Sequence, residues 1–174
     1  MSFVLILTPL LLFIATLLFL VPVLGRLFRQ CHVSDVTPEW LENFSPVTYR
    51  PMEYLLADED FDFLVRQPGF EASLSKKLRK DRLRIFRQYL NRLISDFNRL
   101  HVYARYLIAK SKDGQDYSAL LERLIWLRFR FSFTVLRVEA SLALSYFGFQ
   151  PRVVHVAISQ LSEMNGYLNA ITAA

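Results

Sequence analysis

Cysteine is almost missing from this chain. Cys31 stands alone among 174 residues, so no intramolecular disulfide can form. Glycine is scarce as well, five in all and none clustered, which leaves no loop able to cradle a phosphate. The three histidines, His32, His101 and His155, fall on separate segments without zinc-ligand spacing. No inward Glu-x-x-His pair of the di-iron kind exists, because Leu56, Ile125, Leu142 and Gly166 follow Glu53, Glu122, Glu139 and Glu163 at the third position. Asp58, Asp60 and Asp62 imitate the start of a calcium loop. That loop needs glycine at its sixth position and a bidentate glutamate at its twelfth, and here Phe63 and Gly69 stand there. A nucleophile elbow is also missing. These absences lead us to expect a protein without enzymatic activity, metal or cofactor. His101 reads as a hydrogen-bonded interfacial histidine beside an apolar seam.

Charge is missing from one long stretch. Phe3 to Leu24 carries none, and only Pro9 and Pro22 interrupt its apolar helix formers. A helix of that length covers roughly 30 Å, the thickness of a bilayer's hydrocarbon core. A cleaved signal peptide needs a basic start and a shorter apolar core; here no Lys or Arg precedes the run. Residues 1–25 are therefore expected to be a retained transmembrane helix. Arg26 and Arg29 follow directly, and basic flanks favour the cytoplasmic side. The expectation is a single-pass protein with its N-terminus outside and the rest in the cytoplasm.

Residues 26–70 form a polar and acidic juxtamembrane segment. Thr37 and Pro38 have the residue types of an N-cap and a first helical position. Ser45-Pro46 cuts that helix short, and 49–57 and 58–66 read as two further short helices before Pro68-Gly69.

Residues 71–174 read as a helical bundle. From Glu71 to Lys110 there is neither Pro nor Gly, and Leu83, Phe86, Leu90, Leu93, Phe97, Leu100, Ala104 and Leu107 step alternately by three and four. That is a coiled-coil-like heptad seam. Tyr89, Ile94, Tyr103 and Ile108 widen it, which suits a bundle helix better than a two-stranded coil. After the turn Ser111–Asp116, the segment 117–147 carries two apolar stripes. One runs through Leu121, Leu124, Leu127, Phe131, Val135, Val138, Leu142 and Tyr146. The other holds Ile125, Phe129, Phe133, Leu136, Ala140 and Leu144. Apolar on most faces, this helix is expected at the bundle centre. Within it, 127–135 alternates with period two, as a strand does, although the absence of any breaker favours a helix. A third helix runs from about Arg152 to Thr172, weakened at Asn165-Gly166. The fold class expected is all-α: one transmembrane helix, short acidic helices, and three longer antiparallel helices.

The charges are sorted along the chain. Residues 35–71 hold nine acids against two bases, net −7; residues 76–112 hold twelve bases against two acids, net +10. The basic block starts with Lys76, Lys77, Arg79, Lys80, Arg82, Arg84 and Arg87, interrupted by Asp81 alone among charges. The plainest expectation is that the acidic segment folds back on this run, each pair contributing about 0–1 kcal/mol. Otherwise the run is an anionic-surface binding site, for an acidic protein face or for anionic lipid. Nucleic acid fits poorly, since no recognised fold motif accompanies the run. Arg123, Arg130 and Arg137 recur every seven residues and read first as a solvated edge or as partners of the acidic block, and otherwise as a row for an anionic headgroup or a partner's carboxylates. The functional expectation is a membrane-anchored interaction or scaffold protein that binds another protein or itself. The alternative is a peripheral binder of anionic lipid or nucleic acid acting through 76–87.

Overall fold

The structure, a computed structural model, describes residues 2–27, 36–55, 66, 72–110, 117–145 and 154–173. Its elements are α1 (Ser2–Leu27), α2 (Pro38–Glu42), a 3-10 helix (Pro46–Tyr49), α3 (Pro51–Tyr54), α4 (Ala72–Lys110), α5 (Tyr117–Ser145) and α6 (Val154–Ala173). Among the described residues there is no strand, and the fold is all-α. The chain divides into two compact units, Met1–Gln30 and Cys31–Ala174.

The first unit is α1, one helix of 26 residues that continues through Pro9 and Pro22. The transmembrane span expected there is not found in that form. Among the described residues, no helix is long and apolar enough to cross a membrane. Of the uncharged stretch, the side chains of 3–6, 10–13, 15, 18 and 19 lie outside the described residues. Leu7, Ile14, Leu17, Val21 and Leu24 are exposed.

In the second unit, Thr37 caps α2 as its residue type implies: its hydroxyl oxygen accepts from the Trp40 amide at 3.2 Å, with Pro38 in the first turn. Of the helix expected over 49–57, the described part is the single turn α3, preceded by the 3-10 helix, and 56–57 lie outside the described residues. Pro46 and Pro51 each begin one of these two elements, because a prolyl ring preset near helical φ lacks the N–H that a preceding turn would use. The expected helix 58–66 and the turns at 111–116 and 148–151 fall outside the described residues, Arg66 excepted.

The bundle of α4, α5 and α6 holds the core. On α4 the seam is buried at Phe86, Leu90, Leu93, Ile94, Phe97, Leu100, Ala104 and Ile108, while its ends, Leu83 and Leu107, are half-buried. On α5 the first stripe is buried at Leu124, Leu127, Phe131, Val135, Val138 and Leu142. Phe97 and Phe131 stack in parallel, 3.7 Å between ring centroids, where the two helices meet. Thus 127–135 is helical, and its period-two pattern merely divides the phenylalanines between two helix faces.

The expectation that α5 sits at the centre is corrected. Its second stripe faces out: Ile125, Phe129 and Phe133 are 65%, 61% and 55% exposed, and Trp126 beside them is 58% exposed. The more central helix is α6, which packs on α4, α5, α3 and the 3-10 helix. It is unbroken through Asn165-Gly166 and buries Ala157, Ile158, Leu161, Met164, Tyr167 and Leu168. A helix with four packing partners needs fewer large side chains than its position suggests, since each face meets a neighbour at short range.

Candidate anionic interface and polar clusters

The basic run occupies the start of α4, where the bundle core has not yet begun. No described side chain from Ser73 to Ile85 is buried; Phe86 is the first. Lys76, Lys77, Arg79, Lys80, Arg84 and Arg87 are exposed, and Arg82 is half-buried. The heptad register explains this. Continued backwards, the seam places Lys76 and Arg79 where apolar residues would have to stand, so this end cannot pack as the rest of α4 does. Lys76, Lys80, Arg84 and Arg87 share one flank of the helix and, with Arg79 and Asp81, line a groove of about 810 Å³. Lys77 and Arg82 do not line it. Arg84 donates to Asp81 one turn back, at 3.1 Å, leaving strong positive character on the flank. Of the acidic block, Asp35, 58–62 and Glu71 lie outside the described residues, and the expected fold-back lies there with them. Glu39, Glu42 and Glu53 are exposed.

A second cluster escaped the sequence reading. Asp96 is buried on α4, and the Tyr49 hydroxyl donates a short hydrogen bond to its carboxylate. Arg99 and Arg92 flank it at 3.7 and 4.0 Å, one turn away on either side. The Arg99 guanidinium also lies over the Trp40 ring, 5.5 Å from its centroid, and Trp40 packs on Phe44 at 5.1 Å. Burial and the adjacent carboxylate both hold the Tyr49 phenol far above its usual range, so it stays a donor. This cluster fixes the short helices on α4. Tyr49→Phe deletes a buried hydrogen bond to a charged acceptor, and should destabilise the second unit by about 1.5–3 kcal/mol in denaturant unfolding followed by circular dichroism. A cost near zero would mean the segment is held by apolar contacts alone. The sequence carried one hint: Asp96 sits between seam residues in a stretch otherwise basic, with arginines at both helical-turn neighbours.

His101 is where the seam placed it, buried and hydrogen-bonded. Its Nδ1 accepts from the Arg128 guanidinium of α5 at 3.2 Å, which leaves the proton on Nε2. Burial first, then Arg128 and Arg105, lower its pKa to about 4. A neutral imidazole tied to an arginine is a structural acceptor between α4 and α5.

The arginine row of α5 was expected to pair with the acidic block or line a solvated edge. All three are exposed, as a solvated edge requires, and two of them also meet α6. Arg130 pairs with Glu163 at 3.5 Å, and Arg123 lies 5.2 Å from the Tyr167 ring centroid. The Tyr167 hydroxyl in turn donates to the Leu120 carbonyl at 2.8 Å. Arg137 is exposed. Among the described residues, no three His, Cys, Asp or Glu side chains are grouped closely enough to hold a metal ion. No family model matches the chain, and no curated protein or solved structure is significantly similar to it.

Proposed function

We propose that this chain is a single-span, membrane-anchored helical interaction protein without enzymatic activity, presenting its bundle to a protein partner on the cytoplasmic side. The observation that carries the reading is the start of α4. Six basic residues stand on a stretch of helix that precedes its first buried core residue, Phe86, and Arg87 follows directly after it. Exposed cations in this number contribute little to folding, typically 0–1 kcal/mol a pair. Their use is in attracting and orienting a surface of opposite sign.

The anchor is supported by the uncharged run Phe3–Leu24, by its single helix, and by the exposed apolar side chains Leu7, Ile14, Leu17, Val21 and Leu24 along it. The orientation follows from Arg26 and Arg29 after the run. A second reading keeps the same residues and changes the partner: the flank of Lys76, Lys80, Arg84 and Arg87 takes anionic lipid headgroups. The groove they line favours it, since a concave basic flank suits a phosphate as well as a carboxylate.

The test is photo-crosslinking in native membranes, with the crosslinker at Lys77 or Arg84 of the full chain. The proposal predicts a discrete protein adduct that disappears when Lys76, Lys80 and Arg87 become glutamate. Adducts to lipid alone would favour the second reading. Their absence, with a strictly monomeric chain, would contradict both.

A further inference from the structure

The outer face of α5 has no role in the fold or in the reading just given. Its Ile125, Trp126, Phe129 and Phe133 are more than half exposed, and Leu136 continues the stripe half-buried. Trp126 and Phe129 lie nearly parallel, 5.7 Å apart between centroids, forming a flat aromatic surface on a convex helix. Large exposed apolar patches of this kind mark a surface that something covers. One edge of the stripe is the row Arg123, Arg130 and Arg137. The first two guanidiniums are held at that edge by Tyr167 and Glu163 of α6.

We infer that this face of α5 lies in the interfacial layer of an anionic bilayer, the aromatic rings entering between headgroups and the arginine row meeting lipid phosphates. The chemistry matches on both counts. Trp, Phe and Ile on one side with arginines beside them is the composition of a helix lying in a membrane interface. A second copy of this chain fits worse. Pairing the stripe antiparallel with itself sets the arginine row against its own copy, and Glu122 is the one acidic side chain on the face. The inference rests on the anchor reading in one respect: α1 would hold the bundle beside a bilayer, making the second contact intramolecular.

The chain has two tryptophans, Trp40 and Trp126, so Trp40→Phe leaves Trp126 as the sole indole reporter. The full chain carrying that substitution is reconstituted in phosphatidylcholine vesicles with and without phosphatidylglycerol, the acyl chains brominated near the headgroup. With phosphatidylglycerol present, Trp126 emission should fall to less than about half that in unbrominated lipid, as its ring sits ~5–10 Å into the interface. Arg137→Gln should shift the docked-to-undocked ratio down by about fivefold. Phe129→Ser with Phe133→Ser should abolish quenching while helix content is unchanged.

Trp126 that is quenched by aqueous acrylamide and indifferent to bromolipid would overturn the inference. So would blue-shifted, bromolipid-insensitive emission that depends on protein-to-lipid ratio, which would mean that a second copy covers the face. Flotation with neutral vesicles through high salt reports on the anchor separately. Flotation with unquenched Trp126 sinks this inference alone, and quenching by anionic vesicles without neutral flotation sinks the anchor alone.

Discussion

Phe131→Ala should cost the bundle about 3–5 kcal/mol, whereas Phe129→Ala and Phe133→Ala, two residues either side, should each change stability by no more than about 0.5 kcal/mol. All three are phenylalanines of one segment, so residue type cannot separate them. Position does. Phe131 is 1% exposed and stacks on Phe97, which is equally buried, while its two neighbours lie on the outer face. Removing Phe131 forfeits its transfer free energy and opens a cavity against Phe97, between α4 and α5, that the surrounding core fills only in part. A domain with total stability of roughly 5–15 kcal/mol notices such a loss. A double-mutant cycle with Phe97→Ala should give a coupling of about 0.5–1.5 kcal/mol, the share belonging to the ring pair itself. Denaturant unfolding of the full chain in mild detergent measures all of these. Equal costs at 129, 131 and 133 would place α5 at the bundle centre, contrary to the present description.

Acid should destabilise the bundle through His101, and the window follows from the direction of its shift. The ordinary value is 6.5, and burial with Arg128 and Arg105 lowers it to about 4 in the folded chain. Between those values the unfolded chain binds a proton that the folded chain refuses. Stability from this group is therefore complete above about pH 6.5 and is lost as pH falls towards 4. The shift is worth on the order of 3 kcal/mol, and screening by water is small because His101 is 3% exposed. His101→Gln keeps an acceptor for Arg128 and removes the titration. Unfolding free energies should agree for the two proteins near neutral pH and separate as pH falls towards 4, the unaltered chain dropping below His101→Gln. Carboxylates titrate identically in both, so the difference isolates the imidazole. Parallel curves would show that His101 is protonated in the folded bundle.

Much of this architecture was legible in the residues, for identifiable reasons. The α4 seam is visible because a long helix with one buried face must repeat its apolar residues at its own period. His101 could be placed from its position beside that seam. Thr37 and Pro38 announced α2 because capping is a local interaction, closed within four residues. Other features were not legible. Two apolar stripes on α5 compete for one core, and only the packing of α4 and α6 decides that Phe131 is inside and Phe129 outside. Tyr49 and Asp96 lie 47 residues apart, and no pattern links a tyrosine in a 3-10 turn to a carboxylate on a distant helix. The arginines of α5 found Glu163 and Tyr167 for the same reason. The basic run was legible as a block of charge; its exposure follows from its place on α4 ahead of the first core residue, Phe86.

The anchor is the claim that places the bundle at a membrane, and alkaline extraction tests it most directly. The full chain, expressed in cells, should stay with the membrane pellet when membranes are washed at high pH. Replacing Leu11 and Leu18 by arginine should release it, because charges near the middle of a span cost roughly 2.5–3.5 kcal/mol each. Release of the unaltered chain into the supernatant with its helices intact would contradict the account.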